Sequence, residues 1–234
     1  MTAMILKDIP FVLKAESLKS RLRIREGGTS YIRFLALIEE AQKIARPKVM
    51  YRPVYIEDRT EEAVKVEGQW FRSRVLSVNL IHAHQIFIFV ATCGVELDEW
   101  ARGQQEVLKA FWADAVKEIA VRTAVKALEA HIETQYHPGQ ISRQLPGSLE
   151  DFPLAEQEVL FALMGDTKAA VGVTMLSSLM MSPSHSVSGI IFPTTENFES
   201  CLLCPRDKCP GRRAPYDQTL YERKYSKPAE ATGP

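Results

Sequence analysis

The chain has 234 residues, 46% of them apolar and 25% charged, which is enough material for one large domain or two small ones with a buried core. Its 29 basic and 29 acidic residues balance, and without a basic stripe there is no electrostatic footprint for nucleic acid. No apolar run approaches the roughly 18 residues of a membrane span, and the first residues mix charge into apolar positions unlike a signal peptide, so the expected location is the cytoplasm.

Residues 1–27 are mixed in character and close on the loop signal Gly27-Gly28. Thr29 or Ser30 is placed to cap a helix that carries Phe34, Leu35, Ile38, Ala41, Gln42 and Ala45 and stops at Pro47. Residues 49–56 read as a strand in which Pro53 marks an edge or a bulge. Residues 63–66 and 71–78 read as further strands turning at Gly68. The run QIFIFVAT at 85–92 has the length and continuous apolarity of a central strand buried on both faces, ended by Cys93-Gly94. Helices are expected over 96–108 and 110–133. Residues 136–153 hold three prolines and two glycines and read as a surface loop. A short helix at 154–164, a strand-like stretch at 170–176 and a strand at 186–192 follow. Residues 210–234 are polar, and disorder is expected at their end. Mostly consecutive strands with flanking helices make the class α+β, with an antiparallel or mixed central sheet.

Four cysteines are present, and Cys201, Cys204 and Cys209 fall as C-x2-C-x4-C. In a reducing compartment that clustering points to metal ligation. Arg206, Lys208, Arg212 and Arg213 lie beside them and favour thiolates. An iron–sulfur cluster wants four cysteines, and Cys93 is the natural fourth; zinc is favoured if a histidine such as His185 serves instead. His82 and His84 would share a face of a strand, where a solvated edge is the simpler reading. His137 and His185 read as loop histidines, and Met175, Met180, Met181, Leu176 and Leu179 as a soft apolar patch.

The stretch GVTMLSSLMMSPSHSVSGIIF (172–192) resembles the C-terminal signature of the activation (reactivation) domain of cobalamin-dependent methionine synthase, at Met181, Pro183, Ser186, Val187, Ser188 and Gly189. HPGQ (137–140) resembles that family's Arg-x-x-Pro-Gly-Tyr loop, which wraps S-adenosylmethionine. The likeness spans most of 28–192. It implies an activation-like domain over 1–200, with a cysteine-rich metal-binding segment and polar tail over 201–234. The cofactor-side residues implied are Pro138, Gly139, Ser186, Ser188 and Gly189. In this register the loop's arginine is replaced by Gln135 and its tyrosine by Gln140, and the acidic residue of the signature by Ser177. Glutamine cannot make arginine's bidentate grip on a carboxylate, which counts against S-adenosylmethionine as a ligand. The resemblance implies an accessory protein of corrinoid-dependent methyl transfer. Its partner would be a corrinoid protein or a corrinoid-dependent methyltransferase, and it would assist reductive reactivation of cob(II)alamin with an iron–sulfur centre. The alternative is a non-catalytic corrinoid- or partner-binding module with structural zinc.

Overall fold

The structure, a computed structural model, describes residues 2–196, 198–209 and 211–226. The tail end expected to be disordered lies outside those residues. In chain order the strands are β1 (Met4–Leu6), β2 (Lys48–Arg59), β3 (Ala63–Val66), β4 (Gln69–Arg72), β5 (Gln85–Thr92), β6 (Ile141–Gln144), β7 (Thr174–Met175), β8 (Met181–Ser182) and β9 (Ser186–Pro193). The helices are α1 (Glu16–Lys19), α2 (Thr29–Ile44), α3 (Arg74–Asn79), α4 (Val95–Arg102), α5 (Val107–Tyr136), α6 (Glu156–Met164) and α7 (Thr167–Val171).

The main sheet runs β4-β3-β2-β5-β9-β6, with β1 beside β2, and every pairing is antiparallel. β5 lies between β2 and β9, as its apolar run predicts. Ile86, Ile88 and Val90 face a core shared with α3, α6 and α7. Phe87, Phe89 and Ala91 face Ala124, Val125, Leu128 and Ile132 of α5. This alternation explains the continuous apolar run, since side chains of period two meet protein on both sides. A third cluster joins α2, α4 and the start of α5, with Phe34 and Trp112 in edge contact at 5.4 Å.

Pro53 sits in the interior strand β2 rather than at a sheet edge. Ile56 N–H donates to the His84 carbonyl at 3.0 Å, toward β5, so by alternation the Pro53 nitrogen faces the opposite side. There β1 pairs only Val49 to Tyr51 and β3 begins at Ile56, so Pro53 falls in the gap between two partners and removes no ladder bond.

Three expectations are corrected. Residues 71–78 are not one strand: Ser73 accepts the Leu76 N–H at 2.9 Å and starts α3. The Asp151 carboxylate accepts from Arg74 N at 3.2 Å and Val75 N at 3.0 Å, serving the first-turn donors of a helix whose valines read as strand. The loop at 136–153 contains β6, a short edge strand on β9. Residues 170–176 open as helix, because Asp166 accepts the Ala169 N–H and Gly172 ends α7 in the left-handed conformation.

Candidate functional site

β6 pairs with β9 only as far as Gln144 opposite Ile190. Pro146 has no N–H, and the ladder stops. On the other side of β9, Cys93 N–H donates to the His185 carbonyl at 3.0 Å. Alternation then turns the backbone groups of Ser186 and Ser188 toward the edge that β6 has left open. A cleft of about 300 Å³ lies along that edge, walled by Leu145, Pro146, Gly147 and Ser148 on one side and by Leu179, Met180 and Met181 on the other. Leu154 and Gln157 close it, and among the described residues no charged side chain lines it. The volume is at the small end of ligand pockets.

One amide sets the distance between the walls. Gln157 is 2% exposed. Its Nε2 donates to the Leu179 carbonyl at 2.6 Å, and its Oε1 accepts from Ser188 Oγ at 2.8 Å. Only this orientation serves both partners, because a carbonyl cannot donate. Leu179 is held at φ 65 in the left-handed region, which costs a residue with a Cβ about 1–2 kcal/mol. Gly189 acts from behind: a Cβ there would overlap Leu145 Cδ2 and lie 3.0 Å from Gln144 O and Phe89 Cε1. Its lack of a side chain lets Leu145 fold over β9 where the cleft begins.

Of the residues the sequence singled out, Ser186 and Ser188 line the cleft and Gly189 lies beneath it. Pro138 and Gly139 do not reach it. They follow the C-terminal cap of α5, His137, and Thr194 N–H donates to Gln140 O at 2.9 Å, beyond the far end of β9. About 26 Å of strand, from Thr194 to Ser186, separates them from the cleft. The Pro-Gly pair at the cleft is Pro146-Gly147. The string RQLPG at 143–147 also meets the Arg-x-x-Pro-Gly pattern. In that spacing Arg143 stands at the arginine position and Ser148 at the tyrosine position. Arg143 does not line the cleft and is ion-paired with Glu129.

The cysteines divide. Cys93 is wholly buried among residues of α2, α4 and α5. Its Sγ donates to the Gly94 carbonyl at 3.5 Å, and burial pushes the thiol up to about 12. Cys201, Cys204 and Cys209 are free and partly exposed. The Arg212 guanidinium gathers their loop, donating to the carbonyls of Cys201 (3.1 Å), Cys204 (3.0 Å), Ala214 (3.1 Å) and Arg206. Among the described residues no group of three or more His, Cys, Asp or Glu side chains is assembled as a metal site. The four-cysteine set expected from the sequence does not fit this arrangement, because the Cys93 thiol belongs to an apolar core. His185 Nε2 lies 3.7 Å from Asp114 Oδ2, and burial holds its pKa below the usual histidine range. His82 and His84 are exposed in the turn before β5, off any strand.

No protein-family model matches the chain, and no curated protein is similar to it in sequence. Among solved structures it is similar to a crystal structure of the MetH reactivation domain bound to AdoHcy. The TM-score is 0.61 at 15% identity, covering 86% of this chain and 81% of that one. The chain has the α+β fold of that domain, with an antiparallel central sheet and flanking helices.

Proposed function

We propose that the protein is an accessory of corrinoid-dependent methyl transfer, which docks on a corrinoid protein or methyltransferase and helps keep the corrinoid active. The reading is carried by one coincidence. Residues 186–188, from the stretch 172–192 that resembles the activation domain, meet the Pro146-Gly147 turn at a single cleft, on a chain that shares the fold of a MetH reactivation domain over 86% of its length.

That solved domain holds AdoHcy, and an adenosyl ligand suits this cleft. Apolar walls receive a flat ring, and the backbone groups of Ser186 and Ser188, turned to the open edge, offer one donor and one acceptor each to a polar edge. Among the described residues the amino-acid end of such a ligand finds no charged side chain in the cleft, and Arg143 is already engaged by Glu129.

Calorimetric titration of the full chain with AdoHcy, and pull-down against a corrinoid protein in the cob(II)alamin state, test the proposal. Saturable binding in both is expected, and silence in both defeats it. An iron–sulfur centre, or zinc as its alternative, would rest on Cys201, Cys204 and Cys209 alone. Anaerobic metal and sulfide quantitation tests that reading, and no part of the docking proposal runs through a metal.

A further inference from the structure

The thiol loop has a chemistry of its own. Residues Ser200–Leu203 form a 3₁₀ turn, which closes with Cys204 N–H donating to the Cys201 carbonyl at 3.3 Å. In a 3₁₀ turn side chains three apart eclipse, so the turn and its closing bond set Cys201 and Cys204 toward the same side. Both are partly exposed and free. Arg213 N–H donates to Cys201 Sγ at 3.4 Å, which fixes that sulfur against the backbone of the following segment. Arg212 donates to the carbonyl of each cysteine and holds the turn in place. Arg213 is itself tied to Glu199 at 2.7 Å. Cys209 lies outside the turn, with its Sγ 4.0 Å from the position a Gly211 Cβ would take.

We infer that Cys201 and Cys204 form a reactive dithiol that reduces disulfides by thiol–disulfide exchange, with Cys201 as the attacking sulfur and Cys204 as the resolving one. The Cys201 thiolate attacks one sulfur of a disulfide R–S–S–R, forming a mixed disulfide and releasing RS⁻. The Cys204 thiolate then attacks Cys201 Sγ, closing the internal disulfide and releasing the second RS⁻. The two thiol protons go to solvent or to the released thiolates, and two electrons pass from the cysteine pair to the oxidant. The pair is independent of the adenosyl cleft, and the inference stands if that cleft binds nothing.

The test uses the full chain, reduced, freed of reductant and exposed to oxidised glutathione, with remaining thiols alkylated before digestion. Trypsin cuts after Arg206 and Lys208, so Cys201 and Cys204 share one peptide and Cys209 leaves on another. The expected result is a loss of two hydrogens within the shared peptide, reversed by reduced glutathione. Cys204→Ser is expected to stop at a glutathione adduct on Cys201. Cys201→Ser is expected to abolish both products, and Cys209→Ser to change neither. A bond from Cys201 to Cys209, an adduct that never resolves in the wild type, or one equivalent of zinc or iron retained by the three thiols each overturns the inference.

Discussion

Gln157 uses both ends of one amide to hold a strained leucine against a strand edge. Gln157→Ala strands the Ser188 hydroxyl and the Leu179 carbonyl in a buried place, at a cost of roughly 2–3 kcal/mol. Gln157→Glu keeps the acceptor for Ser188 but loses the donor to Leu179 at neutral pH. Both variants should lower the urea midpoint, and both should weaken AdoHcy binding by widening the cleft. Binding unchanged in a folded Gln157→Ala would show that the latch does not shape the ligand site. Gly189→Ala forces Leu145 off β9 and should cost about 1–3 kcal/mol of stability by overpacking, read from the same denaturation curves. At this scale the sequence was partly legible. Ser186, Ser188 and Gly189 reach the cleft because strand periodicity carries them there. Pro138 and Gly139 miss it, because a two-residue string does not report which end of a strand it adjoins. Gln157 carried no signal at all: its role depends on a carbonyl and a hydroxyl brought from segments far apart in the chain.

At the scale of elements, helix starts decide what periodicity leaves open. Residues 71–78 hold enough valine and phenylalanine to read as strand, yet Ser73 and Asp151 satisfy the first-turn donors of α3. Ser73→Ala should cost about 1–2 kcal/mol, with α3 amides exchanging faster with solvent; unchanged exchange would assign the helix to packing alone. β5 was legible because burial on both faces leaves a continuous apolar run, whereas β6 was not, being four residues of mixed polarity beside a Pro-Gly turn. α6 carries a charge where a neutral group suffices. Glu156 is 8% exposed, and its carboxylate accepts the Arg72 N–H at 2.9 Å. Burial raises its pKa above the ordinary 4.5, the Arg72 hydrogen bond opposing. The folded state therefore holds this proton more tightly than the unfolded chain does. The penalty is absent below the unfolded value and grows as pH rises through it to the folded one. Glu156→Gln keeps an acceptor for Arg72 without the charge, so it should stabilise the protein at pH 7 and lose that advantage near pH 4. Urea titrations at the two pH values that give equal differences would refute this.

Across the whole molecule, the cysteine-bearing segment is bound into the body of the fold. Leu203 and Leu220 pack against the core under α3 and α6, and Tyr225 is wholly buried within it. Arg74 Nε donates to the Tyr225 carbonyl, and Nη2 donates to the Ser226 carbonyl at 3.0 Å. The Tyr225 hydroxyl donates to Asn79 Oδ1 at 2.8 Å, and its ring meets Phe198 edge-on at 6.4 Å. The boundary expected near residue 200 marks a change of composition, from apolar strand to polar loop, and the core continues across it because a few apolar anchors suffice. The thiol loop is thus pinned at both ends to the core beneath the sheet that carries the cleft. Tyr225→Ala removes a large buried ring and should cost about 3–5 kcal/mol. Tyr225→Phe removes only the hydroxyl and should cost about 1 kcal/mol. In calorimetry the wild type should unfold in one transition, lowered strongly by the first substitution and slightly by the second. A segment merely appended to the domain would leave the main transition unmoved by Tyr225→Ala, and the loop would then have to be treated as a separate unit.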